Sequence, residues 1–318
     1  MAVTIGDLRT KFARKHVLGL EDWGREEILA VLDLASEVKR RGMSPPEGVD
    51  LSGRALCTAF FEPSTRTRLS FEAAAKILGM RTGDLSVEAS SVRKGESLKD
   101  TILTLEAMGF EVIVIRHRFA GAPHLAARWA RRAHIVNGGD GCHEHPTQGL
   151  LDALTIRERM GGFKGLKVAI VGDILHSRVA RSNLWALRVL GAQVIFCGPP
   201  TLCPKSLEAL GAKVTHSLAE ALSMADVVNV LRIQRERQQA GLIPSLKEYH
   251  SEYAITRRRL EEHPNVKLVM HPGPMNRGVE IDPDVADDER VCSVTEQVAN
   301  GLAVRVALLA LLLGGEAA

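Results

Sequence analysis

Short apolar runs alternate with longer amphipathic stretches along most of this chain, and this pattern restricts the fold more than any other feature. Residues 55–61, 112–115 and 167–171 have the length and apolar character of buried strands, and each run is followed by a helix-like stretch. Parallel strands require crossover connections, which are usually helices. The alternation therefore predicts an α/β protein with two domains, each a mainly parallel sheet flanked by helices, and a ligand cleft between them.

Glycines after the predicted helix 147–160 mark a boundary between the domains. We predict one domain over residues 1–150, a second over residues 151–293, and a C-terminal helix over residues 294–318 that packs back on the first domain. The other predicted helices cover residues 25–41, 65–78, 97–108, 124–132 and 178–190, and the other predicted strands cover residues 193–197, 227–231 and 267–270.

Composition excludes several classes of protein. The net charge of +3 is too small for a nucleic-acid-binding protein, and 45% hydrophobic residues indicate a globular protein. The five cysteines are scattered without a C-x-x-C pair, which indicates reduced, intracellular thiols. No apolar signal segment is visible, and the apolar run 302–313 contains Arg305, is too short to span a bilayer and is predicted to be buried. We expect a cytoplasmic protein with no membrane and no nucleic-acid partner.

The run F-F-E-P-S-T-R-T-R over residues 60–68 follows a predicted strand and opens a predicted helix. A helix N-terminus presents unpaired N–H donors and the positive end of the helix dipole, which favour a bound anion. Ser64, Thr65 and Thr67 add hydroxyl donors, and Arg66 adds a planar charge that suits phosphate oxygens. The alternative is an ordinary Ser/Thr helix cap with solvated arginines.

This run resembles the phosphate-binding signature F-x-x-x-S-T-R-T-R of the aspartate and ornithine carbamoyltransferases, and the resemblance extends over essentially the whole chain. It implies that the first domain binds carbamoyl phosphate and the second binds aspartate. It also implies a homotrimer with shared active sites, and no cofactor or metal. The implied reaction transfers the carbamoyl group of carbamoyl phosphate to the α-amine of L-aspartate, a step of de novo pyrimidine biosynthesis.

Further residues of the carbamoyl phosphate site follow from the same resemblance. By composition the polar segment 90–97 is a mobile surface loop, but it resembles the family loop that crosses into the neighbouring subunit. Arg116 ends a predicted strand, where open α/β sheets place ligand contacts. The implied carbamoyl phosphate contacts are Ser64, Thr65, Arg66, Thr67, Ser90, Lys94, Arg116, His145, Gln148, Pro272 and Gly273. The implied catalytic residues are Arg66, Thr67, Lys94, Arg116 and His145.

Two histidines, His143 and His145, and Cys142 lie close together ahead of a predicted helix, a pattern that metal sites share. Further ligands at convincing spacing are missing from the sequence, so we expect no metal here. The resemblance instead assigns His145 and Gln148 to the family's H-P-T-Q motif. In that motif the histidine hydrogen-bonds the carbonyl oxygen of the carbamoyl group and stabilises developing oxyanion charge.

Two arginines in the second half of the chain are candidate contacts of the acceptor substrate. Arg178 begins a predicted helix, and Arg181 lies one turn later as a local rival; a solvated helix face is the alternative for both. Arg232 and Gln234 follow a predicted strand and point the same way in extended chain. The resemblance implies that Arg178 binds the α-carboxylate of aspartate and Arg232 its side-chain carboxylate. The full implied aspartate set is Lys94, Arg178, Arg232, Gln234 and Pro272.

The turn H-P-G-P at residues 271–274 ends another predicted strand. In aspartate carbamoyltransferases such a turn supplies backbone carbonyls to the substrate amines. Gly273 departs from the family, in which many members have leucine at this place. Ornithine enzymes typically have H-C-L-P here, so the absence of that cysteine agrees with Arg232 in favouring aspartate.

Three alternative functions are left open by the sequence. The nearest is carbamoyl transfer to ornithine or another amine. A nucleotide-binding dehydrogenase is the second, although Gly172 is a single glycine where G-x-G-x-x-G needs three. A non-catalytic scaffold is the third, although every matched catalytic position holds the expected residue type. A regulatory chain or a dihydroorotase partner is compatible with the sequence.

Overall fold

The structure, a computed structural model, describes residues 5–86, 95–233 and 241–314. The chain divides into two compact units. Unit 1 comprises Met1–Leu151 with Ala299–Ala318, and unit 2 comprises Asp152–Val298. Each unit contains one parallel sheet with helices between its strands, so the prediction of two parallel α/β domains is confirmed.

The sheet of unit 1 brings the ends of its central strands together. Its strands are β1 Ala55–Phe60, β2 Arg81–Ser86, β3 Val112–His117 and β4 His134–Asp140. They pair in the order β2-β1-β3-β4, all parallel. Phe60 pairs with Arg116, and His117 with Asp140, so the carboxyl ends of β1, β3 and β4 lie at the same edge. Ligands usually bind at this edge of an open parallel sheet. The helices of unit 1 are α1 Ile5–Lys11, α2 Arg25–Arg40, α3 Thr65–Ile77, α4 Leu98–Ala107 and α5 Ala122–Trp129.

The sheet of unit 2 has the same construction. Its strands are β5 Lys167–Val171, β6 Gln193–Cys197, β7 Lys213–Thr215, β8 Val227–Val230 and β9 Leu268–Met270. They pair in the order β7-β6-β5-β8-β9, all parallel. Val171 pairs with Val230 and Asn229 with Met270, so the loops after β5, β8 and β9 leave one edge. The helices of unit 2 are α7 Arg178–Leu190, α8 Leu218–Met224, α9 Leu246–Tyr253, α10 Arg257–Glu262 and α11 Pro283–Ala286.

Two long helices, α6 Pro146–Met160 and α12 Val294–Leu313, contain residues of both units. By length and composition α12 could cross a membrane, but 78% of its most apolar stretch is buried in the fold, as in a core helix. The predicted burial of this segment is therefore confirmed. The prediction that the segment is too short to span a bilayer was wrong, because the helix begins at Val294, eight residues before the apolar run 302–313. Within unit 1 the buried guanidinium of Arg305 donates to Ser70 Oγ at 2.9 Å and to Thr147 Oγ1 at 3.3 Å.

The predicted elements are present, with ends shifted by no more than three residues, except that the C-terminal helix predicted over residues 294–318 ends at Leu313. Strands β2, β4 and β7 were not predicted, and all three are edge strands. β2 and β7 are partly exposed, and a partly exposed strand needs no continuous apolar run, whereas β4 is buried along its whole length. The sequence of β2 has one leucine, β7 has three residues, and β4 ends in N-G-G-D, which is typical of a turn.

Candidate active site

The N-terminus of α3 does not use its serine as an ordinary cap. Ser64 is the N-cap residue, but its side chain makes no capping hydrogen bond. By contrast, the N-cap serines Ser97 and Ser177 each accept a backbone N–H of their own helix. Arg66 is exposed in the first turn, and Thr67 is buried. The alternative of a Ser/Thr helix cap is therefore wrong for the Ser64 hydroxyl, and the N–H donors of a helix N-terminus suit a bound anion.

The second arginine of the S-T-R-T-R run is tied to the sheet. Arg68 Nη1 donates to Asp84 Oδ2 at 3.1 Å, and Thr58 Oγ1 donates to Asp84 Oδ1 at 2.8 Å. These bonds join α3 to β1 and β2 and hold the helix end in place. Arg68 therefore has a structural role, and Arg66 is exposed in the first turn of the same helix.

Arg116 lies at the end of β3, beside the loop that follows β1. Its Nη1 donates to Gly138 O at 3.2 Å, and its Nε lies 3.6 Å from Glu62 Oε2. Both side chains are largely shielded from solvent, at 15% and 19% exposure. Sequence reasoning missed Glu62 as a partner, although it stands two residues before Ser64 in the same loop. The carboxylate places the guanidinium at the edge where the α3 N-terminus also lies.

Helix α6 begins with the H-P-T-Q motif. His145, Thr147 and Gln148 are all buried, at 5%, 0% and 9% exposure. His145 O accepts from Gln148 N at 2.9 Å, which closes the first turn, and Pro146 occupies a position where helices favour proline. The motif follows β4 directly, so His145 and Gln148 belong to the same sheet edge as Arg116.

His143 joins a different group from His145. Its Nδ1 lies 3.1 Å from Asp140 Oδ2, and its ring lies 5.4 Å from that of His124. The hydrogen bond to Asp140 raises the pKa of His143. Burial acts to raise the pKa of Asp140, but hydrogen bonds, first of all from His143, outweigh it and lower that pKa. Ligand atoms of His124, Asp140 and His143 lie within 4.8 Å of one another. Asp140 also accepts from Gly121 N at 2.7 Å, so we interpret the group as a network that fixes the loop after β4.

In unit 2, Arg178 and Arg181 have different surroundings. Arg178 is the first residue of α7 and is 4% exposed. The guanidinium of Arg181 donates to Leu175 O at 3.2 Å and to Ser177 O at 3.4 Å. Arg181 thus braces the loop after β5.

Gly172, at the start of that loop, has a packing role. Its φ is +132°, and a Cβ there would lie 3.2 Å from Leu231 Cβ and 3.2 Å from Tyr249 Oη. The space that a dinucleotide-binding glycine leaves for a pyrophosphate is here filled by side chains. The close approach also fixes Leu231, which directly precedes Arg232. Arg232 is half-buried at the end of β8.

The H-P-G-P turn after β9 is held from behind by buried polar groups. His271 Nδ1 accepts from Gly273 N at 2.8 Å, and His271 Nε2 lies 3.1 Å from Glu280 Oε1. His271 and Glu280 are 1% and 0% exposed, whereas Pro272 and Gly273 are half-buried. Gly273 has a φ of +62°, a region that favours glycine. Sequence reasoning missed Glu280, because nothing in the sequence pairs it with a histidine nine residues earlier.

The structure brings the predicted residues together in two sets. Three predicted site residues, Ser90, Lys94 and Gln234, lie outside the described residues. In unit 1 the sheet edge collects Ser64, Thr65, Arg66, Thr67, Arg116, His145 and Gln148. In unit 2 the sheet edge collects Arg178, Arg232, Pro272 and Gly273.

Comparison with known proteins gives one family over both units. Residues 15–158 match the model "Aspartate/ornithine carbamoyltransferase, carbamoyl-P binding domain", and residues 164–312 match "Aspartate/ornithine carbamoyltransferase, Asp/Orn binding domain". The aspartate carbamoyltransferase catalytic subunit of Moorella thermoacetica is 55% identical over 306 residues, covering 96% of this chain and 99% of that protein.

Solved structures are similar over nearly the whole chain. The catalytic subunit of M. jannaschii aspartate transcarbamoylase matches with a TM-score of 0.80 and 38% identity, covering 95% of this chain and 100% of that one. Aspartate transcarbamoylase from Trypanosoma cruzi in complex with carbamoyl aspartate and phosphate matches with a TM-score of 0.81 and 32% identity, covering 95% and 96% of the two chains.

Proposed function

Because the chain belongs to the aspartate/ornithine carbamoyltransferase family, we propose that it transfers the carbamoyl group of carbamoyl phosphate to the α-amine of L-aspartate, giving N-carbamoyl-L-aspartate and phosphate. The N-terminus of α3 carries this proposal, since its N-cap hydroxyl is not used by the helix and an exposed arginine stands beside it. The relative at 55% identity, which is named for the aspartate reaction, supports aspartate as the acceptor.

In this proposal the phosphate of carbamoyl phosphate binds at the N-terminus of α3. Ser64, Thr65 and Thr67 donate hydrogen bonds to its oxygens, and Arg66 neutralises their charge. Arg116 adds a second cation from the neighbouring strand, in an orientation set by its ion pair with Glu62. The family resemblance adds Ser90 and Lys94.

The carbamoyl group then lies between the α3 and α6 ends of the same sheet edge. His145 hydrogen-bonds its carbonyl oxygen, and Gln148 holds its amide end. The neutral amine of aspartate attacks the carbamoyl carbon, and Thr67, Arg116 and His145 stabilise the resulting oxyanion. The bond from carbon to the phosphate oxygen breaks, and the leaving phosphate takes the amine proton, because the matched side chains include no obvious base.

Aspartate is recognised in this scheme by residues of unit 2. Arg178 binds the α-carboxylate, and Arg232 and Gln234 address the side-chain carboxylate, which a cationic acceptor such as ornithine lacks. Backbone carbonyls of Pro272 and Gly273 accept hydrogen bonds from the substrate amines. Lys94 completes the implied aspartate set. Binding both substrates in this way converts a bimolecular reaction step into an effectively unimolecular one.

The proposed assembly is a cytoplasmic homotrimer in pyrimidine biosynthesis. The support is the family resemblance of the segment that contains Lys94, which in the family serves the neighbouring subunit's site. Mixing inactive Arg66→Ala and Lys94→Ala subunits tests sharing, because a hybrid trimer then contains one intact site. Restored activity after mixing supports shared sites, and its absence, together with a monomeric mass by light scattering, contradicts the trimer.

The decisive experiment measures formation of a ureido product from carbamoyl phosphate, with L-aspartate and L-ornithine tested in parallel. We expect product with aspartate alone. Product with ornithine alone would mean that Arg232 has another role, and no product with either would contradict the proposed activity.

A further inference from the structure

A fully buried carboxylate in unit 2 joins three separate segments of the chain. Asp152, on α6, is 0% exposed. Its Oδ2 accepts from Asn183 Nδ2 at 2.7 Å and from Asn229 Nδ2 at 3.3 Å, and its Oδ1 accepts from Gln297 Nε2 at 2.8 Å. The three amide side chains come from α7, β8 and α12, and all three are buried.

Each of these segments leads to a residue of the proposed aspartate site. Asn183 lies on α7, which begins at Arg178, and Asn229 lies on β8, three residues before Arg232. The third connection is indirect. Gln297 Oε1 accepts from His271 N at 2.9 Å, and His271 in turn holds the H-P-G-P turn.

A carboxylate suits this place because it accepts hydrogen bonds and donates none. All three amides must therefore turn their NH₂ groups towards Asp152, and this leaves the oxygen of Gln297 for the backbone N–H of His271. Among the described residues no donor reaches the carbonyl oxygens of Asn183 and Asn229, so the carboxylate has a large part in setting those two amides as well. Burying a carboxylate is unfavourable compared with an apolar side chain, so packing alone does not explain Asp152.

We propose that Asp152 is a positioning residue that sets the relative placement of the three aspartate-binding segments, an inference that rests on the proposed function. It touches no substrate. It acts through Asn183 on the start of α7, through Asn229 on the end of β8, and through Gln297 and His271 on the turn after β9.

Asp152→Asn tests this proposal, because asparagine has the same shape but faces at least one of the three amides with an NH₂ group. We expect the KM for aspartate to rise about tenfold, as for the loss of one buried, charge-assisted hydrogen bond, while the KM for carbamoyl phosphate changes less than twofold. The matched control is Asp226→Asn. Asp226 accepts from Lys167 N at 2.9 Å, at the amino ends of β5 and β8. The proposed aspartate site lies at the carboxyl ends of these strands, so both KM values should stay unchanged.

Gln297→Met separates positioning from general stability, since it removes the connection to His271 and leaves both asparagines in place. We expect a smaller rise in the KM for aspartate. In the double variant Asp152→Asn/Gln297→Met, the fold-increase in this KM should be less than the product of the two single fold-increases, because both substitutions act through one chain of hydrogen bonds. If Asp152→Asn does not fold, Gln297→Met alone still tests the connection to the turn.

An unchanged KM for aspartate in a folded Asp152→Asn protein would overturn the inference, and so would equal changes for both substrates. Those outcomes leave the proposed function intact as long as the unmodified protein makes carbamoyl aspartate. An inactive unmodified protein would instead contradict the proposed function itself.

Discussion

The two proposed substrate-binding regions differ in where their polar groups are anchored. At the edge of unit 1, Arg66 is exposed and the Ser64 hydroxyl makes no capping bond. At the edge of unit 2, His271 and Glu280 are fully buried behind the H-P-G-P turn, and Asp152 is fully buried behind the whole set. The N-terminus of α3 in unit 1 offers an exposed side chain and helix N–H groups directly, whereas the H-P-G-P turn in unit 2 is held in place by buried polar groups behind it.

This difference follows from what each region is proposed to bind. A phosphate group can be met by any cation or donor that reaches its oxygens, so flexible side chains at a helix N-terminus suffice. A backbone carbonyl can point at a substrate amine only if its own φ and ψ angles are fixed, and buried hydrogen bonds fix them. Substitution of the exposed Arg66 should therefore change activity and leave stability alone, whereas substitutions behind the turn in unit 2 should change both.

The largest expected effect is on turnover in unit 1. Arg66→Ala and His145→Ala should each lower kcat by about 10²- to 10³-fold, because in the proposed mechanism the first removes a charge that neutralises the phosphate and the second a donor that stabilises the oxyanion. The melting temperature of Arg66→Ala should stay within about 1 °C, since Arg66 is exposed. Arg131→Ala, at another exposed cation of unit 1, is the control and should keep full activity. Near-normal turnover in either test variant would contradict the mechanism.

The next largest effect distinguishes the two arginines of α7. Arg178→Ala should raise the KM for aspartate by about 100-fold, since it removes a charged partner of a carboxylate. Arg181→Ala removes hydrogen bonds to Leu175 O and Ser177 O, so it should lower the free energy of unfolding by about 1 kcal/mol and change that KM less than tenfold. The reverse pattern in steady-state kinetics would transfer the carboxylate role to Arg181.

Removal of the buried acid behind the turn should reduce stability. Glu280→Ala leaves His271 Nε2 and the Asn276 backbone N–H without this acceptor, so urea unfolding should show a loss of about 2–3 kcal/mol. Glu47→Ala, at an exposed glutamate, should lose less than about 0.5 kcal/mol. A loss as small as that of the control would mean that the turn does not depend on its buried support.

A smaller effect is expected at the glycine of the turn. Gly273 has a φ of +62°, so Gly273→Ala should lower the free energy of unfolding by about 1 kcal/mol. Gly162 provides the control, because its φ is ordinary and a Cβ there would meet no atom within 4 Å. Equal stabilities of Gly273→Ala and Gly162→Ala would show that the turn tolerates a side chain.

The smallest effect is a pH dependence in unit 1. Burial lowers the pKa of His16 to about 4, and its Nδ1 accepts from Ile135 N at 3.0 Å, which requires the neutral ring. A lowered folded-state pKa stabilises the fold above the unfolded value of 6.5, and this stabilisation is lost as pH falls from 6.5 to about 4. Discounted for its partial exposure, the loss should be roughly 1 kcal/mol. His16→Asn keeps an acceptor that does not titrate, so its unfolding free energy should fall less over the same pH range.

Much of the fold was predictable, because local patterns determine it. Apolar runs gave the central strands, and the S-T-R-T-R run followed a strand and opened a helix as its composition predicted. Strands β2 and β7 escaped prediction because partial burial leaves a weak pattern, and the buried strand β4 escaped because its N-G-G-D end is typical of a turn. The ion pair of Arg116 with Glu62 also escaped, since their distance depends on how two strands pair and not on local sequence.

The supports of the site were the least predictable part. Asp152 and Gln297 stand 145 residues apart and meet only because α6 and α12 pack together in unit 2. His143 was considered with His145 as a metal pair, but the fold pairs it with Asp140. These contacts join residues that are far apart in the sequence and share only their burial, so no periodicity in the sequence predicts them.

The placement of α12 has a consequence for how the protein is made. Residues 303–313 are all buried, and residues 299–318 belong to the same unit as the start of the chain. A ribosome synthesises residues 299–313 after residues 1–298, so the first part of unit 1 leaves the exit tunnel long before its closing helix exists. Unit 2, which is continuous from residue 152 to residue 298, is synthesised in between. Unit 1 is thus begun first and completed last. A chain arrested near residue 290 would contain most of unit 2 together with an unfinished unit 1.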